Sequence, residues 1–168
     1  MSANTKCSAA RKLVIGMGNE WRGDDGVGLL VARRLRAMAL SGVAVRELGD
    51  DPTRFLEAWV EADSLYLVDA LCSGSAPGTV RRWDVCKDPI ATRIFRLSTH
   101  GTTVVDAVEL ARALKRLPRR LVIFGIEGKG FAMGCGVSLE AQRGADKVVE
   151  TIKRELRDAE ALEEMSTR

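Results

Sequence analysis

Residues 12–38 read KLVIGMGNEWRGDDGVGLLVARRLRAM: a strand, a glycine-rich turn and a helix in one uninterrupted run. KLVIGM at 12–17 has no polar alternation, which marks a strand buried on both faces. Val27, Leu30, Val31, Leu35 and Met38 recur at helical spacing, so 27–38 reads as a helix with one apolar stripe. Two further runs repeat the buried-strand pattern, SLYLVD at 64–69 and LVIFGI at 121–126. Val43 to Glu47 alternates like a strand, and Thr79 to Trp83 is another, with Val80 and Trp83 as its apolar members. Asp51-Pro52 starts a helix that runs to about Ala62, the carboxylate capping and the proline at the first helical position. Thr102 to Leu117 is helical, with Val105, Val108, Ala111 and Leu114 turned inward. Ser138 caps a last helix to about Leu156, and the polar residues beyond it are expected to fray. Residues 84–100 give only a turn at Asp88-Pro89 and a short extended piece at Ile94 to Leu97. Strands alternating with helices predict an α/β fold: a single-domain three-layer sandwich, with a twisted, mostly parallel sheet and helices on both faces.

The chain has 168 residues, enough for one domain and too few for two full cores. Its expected core runs from about 12 to 157, between polar tails. Hydrophobic residues make up 46% and charged residues 29%, which excludes a disordered, collagen-like or coiled-coil chain. No apolar run approaches the roughly 18 residues of a membrane span, so no membrane partner is expected. Met1 to Arg11 lacks the apolar core of a secretion signal. A net charge of +3, spread over Arg33, Arg34 and Arg36 in one helix and Lys115, Arg116, Arg119 and Arg120 near another, reads as solvated helix faces. No nucleic-acid partner is expected. Cys7, Cys72, Cys86 and Cys135 have neither zinc-site nor disulfide-framework spacing, which fits a reduced, cytoplasmic setting. A monomer is the default expectation.

In parallel sheets the ligand site lies beyond the carboxyl ends of the strands, which directs attention to the residues just after Met17, Asp69 and Ile126. The turn after the first strand is not a dinucleotide fingerprint, because Trp21 stands where its third glycine belongs. Asp24 and Asp25 would repel a phosphate there; one of them capping the next helix leaves the other free for different work. Asp69 ends an otherwise apolar strand, where a carboxylate is costly unless paired. His100, the only histidine, sits just before a helix. Asp25, Asp69 and His100 thus all fall at junctions that share one sheet edge. Two carboxylates and an imidazole suit a divalent transition metal or acid–base hydrolysis. A Cys72–His100 nucleophile pair has no local signature to support it. The segment GIEGKGFAMGCG at 125–136 reads either as a loose cover over this edge or as a mobile substrate-contacting loop, with Glu127 near the site.

Val14-Ile15-Gly16-Met17-Gly18-Asn19, then Gly23-Asp24-Asp25-Gly26-Val27-Gly28, Val68-Asp69-Ala70 and Ser98-Thr99-His100-Gly101, taken in that order, resemble the nickel–iron hydrogenase maturation endopeptidases. The resemblance spans about residues 12–155. It implies an enzyme that removes the C-terminal extension of the hydrogenase large-subunit precursor after nickel insertion. It also implies that Asp25, Asp69 and His100 contact a nickel supplied by the bound precursor and serve the cleavage. The first acid in that family is often Glu, and Asp24 is the neighbouring alternative to Asp25. The weaker readings are a non-catalytic metal or nucleotide carrier, and a hydrolase resembling peptidyl-tRNA hydrolases, which share a GxGN-like first loop. There is no HExxH motif and no Ser–His–Asp set to suggest a standard zinc or serine protease.

Overall fold

A computed structural model describes residues 11–49, 57–59, 62–87 and 101–166. The strands are β1 (Lys12–Met17), β2 (Val43–Leu48), β3 (Ser64–Leu71), β4 (Val80–Asp84) and β5 (Arg120–Glu127). They form one sheet in the order β2-β1-β3-β5-β4. The pairs β1–β2, β1–β3 and β3–β5 are parallel, and β4 runs antiparallel to β5. The helices are α1 (Val27–Ala37), α2 (Gly101–Ala113) and α3 (Leu139–Ser166), with a 3₁₀ turn at Gly23–Gly26 leading into α1.

Alternation along the buried strands divides the core in two. Leu13, Ile15, Leu65, Leu67, Leu121 and Ile123 face Trp59 and the α2 residues Val104, Val108 and Ala111. Val14, Tyr66, Val68, Val122 and Phe124 face α1 and α3 through Val31, Leu35, Ala145, Val148 and Ile152. The fold is therefore the expected three-layer α/β sandwich. α1 approaches the sheet so closely that a Cβ on Gly28 would lie 2.3 Å from the Met17 carbonyl oxygen and 2.4 Å from that of Val68. Opposite it, a Cβ on Gly16 would lie 2.1 Å from the Gly28 carbonyl oxygen. These two glycines are contact points between helix and strand backbones.

The structure corrects several expectations. Helix α1 stops at Ala37, so Met38 is exposed rather than on the inner stripe. Helix α2 stops at Ala113: Lys115 takes a left-handed conformation and the Arg116 N–H donates to the Ala111 carbonyl (2.8 Å), a helix-ending turn that leaves Leu114 exposed. The tail after Leu156 does not fray. Arg157 to Glu164 is rich in strong helix formers, α3 continues to Ser166, and Glu160 reaches Lys12 of β1 (3.5 Å). Asp69 does not end its strand, since Ala70 and Leu71 pair with Ile126 and Glu127. Of the helix expected from Asp51 to Ala62, residues 57–59 are helical, and its proposed start lies outside the described residues, as do the turn at Asp88-Pro89 and the piece at Ile94 to Leu97.

Candidate active site

The strand order reverses between β1 and β3: the chain leaves β1 for β2 on one side and later returns to β3 on the other. At such a point the connections from adjacent strands depart to opposite faces and open a crevice at the carboxyl edge. Asp25 follows β1 into that crevice, and Asp69 lies near the carboxyl end of β3. The 3₁₀ turn that carries Asp25 packs against β3. Both aspartates are buried. Asp25 Oδ2 accepts the Asn19 N–H (3.2 Å), and Asp69 Oδ1 accepts the N–H of Ala70 (2.8 Å). By alternation Asp69 lies on the α2 face, with Leu67 and Leu71 on either side.

Asp24 is buried too, with different surroundings. Its carboxylate accepts the N–H of Lys129 (2.6 Å), Gly130 (3.2 Å) and Ser138 (2.6 Å) and the Ser138 hydroxyl (2.9 Å). Backbone bonds complete the seam: Asp24 N–H to the Gly130 carbonyl (2.9 Å), Gly23 N–H to Cys135 (3.1 Å), and Gly134 N–H to Trp21 (2.8 Å). The glycine-rich segment is thus pinned to the first loop, not loosely draped over the edge. Neither Asp24 nor Asp25 caps α1, whose start at Gly26 has no side-chain cap, contrary to the expectation that one of them would. Ser138 does cap α3, accepting the Ala141 N–H (3.3 Å).

Glu127 is a second buried anchor. It accepts the N–H of Ser73 (2.7 Å) and Gly74 (2.8 Å) and the Ser73 hydroxyl (2.7 Å), fixing the loop that comes after Asp69. Sequence placed Glu127 near the site but missed this role, and it missed the division of labour between Asp24 and Asp25. His100 lies outside the described residues. The helix next to it in sequence, α2, begins at Gly101. The C-terminal turn of α2 lies by the amino end of β5, where Arg112 donates to the Val85 carbonyl (3.4 Å) and the Val85 N–H donates to Leu121 (2.9 Å). A helix packed along the sheet from there directs its N-terminal turn to the carboxyl edge. Among the described residues, no group of three His, Cys, Asp or Glu converges as a metal site. The described cysteines Cys72, Cys86 and Cys135 are free thiols.

A cleft of about 340 Å³ opens beside the first loop, lined by Asn19, Glu20, Trp21, Leu29, Arg33 and Glu47 among others. The Arg33 guanidinium is held between Glu20 (2.9 Å) and Glu47 (2.8 Å). No phosphate cradle exists in this loop: the Gly18 N–H donates to the Leu48 carbonyl (3.3 Å), and the Asn19 and Trp21 N–H groups go to side chains of the loop itself.

Residues 29–155 match the family model of HycI, hydrogenase maturation protease. The chain belongs to the hydrogenase maturation proteases. A protein of Methanocaldococcus jannaschii assigned to the same proteases is 32% identical over 86% of this chain and 96% of its own length. The hydrogenase expression/formation protein HupM of Azotobacter chroococcum is 30% identical over 71% of this chain, which spans 58% of HupM. Among solved structures, the [NiFe] hydrogenase maturation protease HybD of Thermococcus kodakarensis superimposes with a TM-score of 0.71 at 27% identity, over 86% of this chain and 97% of that one. As a hydrogenase maturation protease the chain is a peptide hydrolase, and the carrier and peptidyl-tRNA-hydrolase-like readings are not favoured. No helix among the described residues is long and apolar enough to cross a membrane.

Proposed function

We propose that this maturation protease is the endopeptidase that cuts the C-terminal extension from a nickel-loaded nickel–iron hydrogenase large-subunit precursor, acting as a monomer in the cytoplasm. The observation that carries the reading is the pair of buried carboxylates, Asp25 and Asp69, flanking the strand-order reversal between β1 and β3. His100 completes the set, and its place one residue before α2 supports it. Two carboxylate oxygens and one imidazole nitrogen leave coordination positions open, so they suit a nickel that arrives already held by the precursor's thiolates. A precursor without metal then lacks the feature these side chains engage, which explains why cleavage waits for loading. For the cleavage itself, an aspartate carboxylate takes a proton from the attacking water and returns it to the departing amine nitrogen. The nickel-iron wording in the name of the Thermococcus kodakarensis protease supports the choice of metal.

The test uses Asp69→Asn and His100→Ala with the cognate nickel-loaded precursor. Both variants should keep the wild-type circular dichroism and lose at least about a hundredfold in processing rate, the scale on which a general base contributes. Processing at the normal rate by either variant removes that residue from the site.

A further inference from the structure

The three tryptophans divide sharply. Trp59 and Trp83 belong to the core, whereas Trp21 is 66% exposed on the first loop. Its backbone is nevertheless held at two points. Its N–H donates to Asn19 Oδ1 (3.0 Å), and its carbonyl accepts the Gly134 N–H (2.8 Å). The neighbouring residue in the pinned segment, Met133, is 70% exposed. Two large apolar side chains therefore project from two loops that are bonded to each other beside the candidate site. Trp21 also walls the 340 Å³ cleft with Leu29 and Arg33 of α1. An exposed indole on a pre-ordered backbone loses little entropy on binding, which is why tryptophan dominates the energetics of protein interfaces. The occupant is identified by continuity. Asn19 accepts the Trp21 backbone N–H and donates its own N–H to the buried Asp25, so Trp21 stands on the loop that carries the candidate acid, and the protein on which that acid acts is the one that meets the indole.

We infer that Trp21, with Met133 beside it, is a docking anchor that packs against an apolar side chain on the surface of the large-subunit precursor at the edge of this cleft. This rests on the endopeptidase reading above and adds a specificity determinant to it.

Steady-state processing of the cognate nickel-loaded precursor tests the inference, with Trp21→Ala, Trp21→Phe and Met133→Ser compared with wild type. Leu162→Ser serves as control, since Leu162 is 67% exposed on α3. Trp21→Ala should raise KM about tenfold or more with kcat within about twofold, as expected for loss of a binding anchor remote from the bond cut. Trp21→Phe should recover most of the loss, Met133→Ser should raise KM by a smaller factor, and the control should match wild type. An unchanged KM in Trp21→Ala, or a fall in kcat alone, overturns the docking role while leaving the endopeptidase reading intact. Failure of wild type itself to cut the precursor overturns the endopeptidase reading instead. Tryptophan emission decides docking in either event. Adding precursor should blue-shift emission in wild type and not in Trp21→Ala, and no such difference contradicts the anchor.

Discussion

Asp24 and Asp25 are adjacent and both buried, yet their surroundings differ. Four donors from the glycine-rich segment and the start of α3 converge on Asp24, so its carboxylate is committed to holding the loops. An amide at this position would turn its own donors toward N–H groups and strand some of them. Asp24→Asn should therefore cost about 3 kcal/mol of stability in urea unfolding, the scale of buried donors left without an anionic acceptor. Asp25→Asn should cost less stability than Asp24→Asn, since an amide oxygen can still accept the Asn19 N–H, and should lose processing. The reverse ranking would assign the site to Asp24. Sequence alone could not separate the two residues, because the partners of Asp24 lie more than a hundred positions away.

At the scale of elements, contact between α1 and the sheet depends on Gly28. A methyl group there meets two backbone carbonyl oxygens, neither of which can move aside. Gly28→Ala should lower stability by about 3 kcal/mol or prevent folding, whereas Gly49→Ala, with nothing within 4 Å, should be nearly neutral in the same thermal melt. Helix α3 is tied to the sheet differently. Glu155 bonds Arg82 of β4 (2.7 Å) and Arg120 of β5 (2.6 Å), and Arg120 lies 5.7 Å from the centre of the Tyr66 ring. Burial would push the Glu155 carboxyl up, but the two guanidinium groups outweigh it and hold it below the usual range. Burial, only partly offset by Arg120, pushes the Tyr66 phenol up to about 12. Because the raised value favours the protonated phenol in the folded state, this contribution to stability is complete below pH 10 and is lost as pH rises toward 12. Tyr66 is the only tyrosine, so alkaline titration of phenolate absorbance reads it directly. The midpoint should fall near 12, or coincide with base unfolding if that comes first. Ionisation near 10 in protein that is still folded would show an open environment around the ring.

For the whole molecule, the layers were legible because β1, β3 and β5 are continuous apolar runs and α1 has a clean stripe. These are the signals that survive without knowledge of tertiary contacts. The direction of β4 was not legible. Its sequence alternates weakly, and its orientation is set by the short connection after β3 and by its pairing with β5. The end of α2 was overextended because apolar spacing continues past Lys115, which adopts left-handed backbone where no glycine advertises the stop; α1 was overrun by one residue, Met38, just before left-handed Ala39. Within the candidate site, the aspartates stood out in the sequence by their position near strand ends, and in the structure they lie by β1 and β3, which flank the reversal of strand order. The anchoring of the glycine-rich segment by Asp24 and of the loop after Asp69 by Glu127 had no local signal, since both depend on long-range hydrogen bonds.

Activity on a hydrogenase large subunit only after metal loading is the central claim. Intact mass spectrometry of the cognate precursor, nickel-loaded and metal-free, each with and without the protein, tests it most directly. The expected result is loss of a single C-terminal peptide from the loaded precursor alone. Equal cleavage of both forms would remove nickel from the recognition step, and an unchanged mass in the loaded form would contradict the proposed reaction itself.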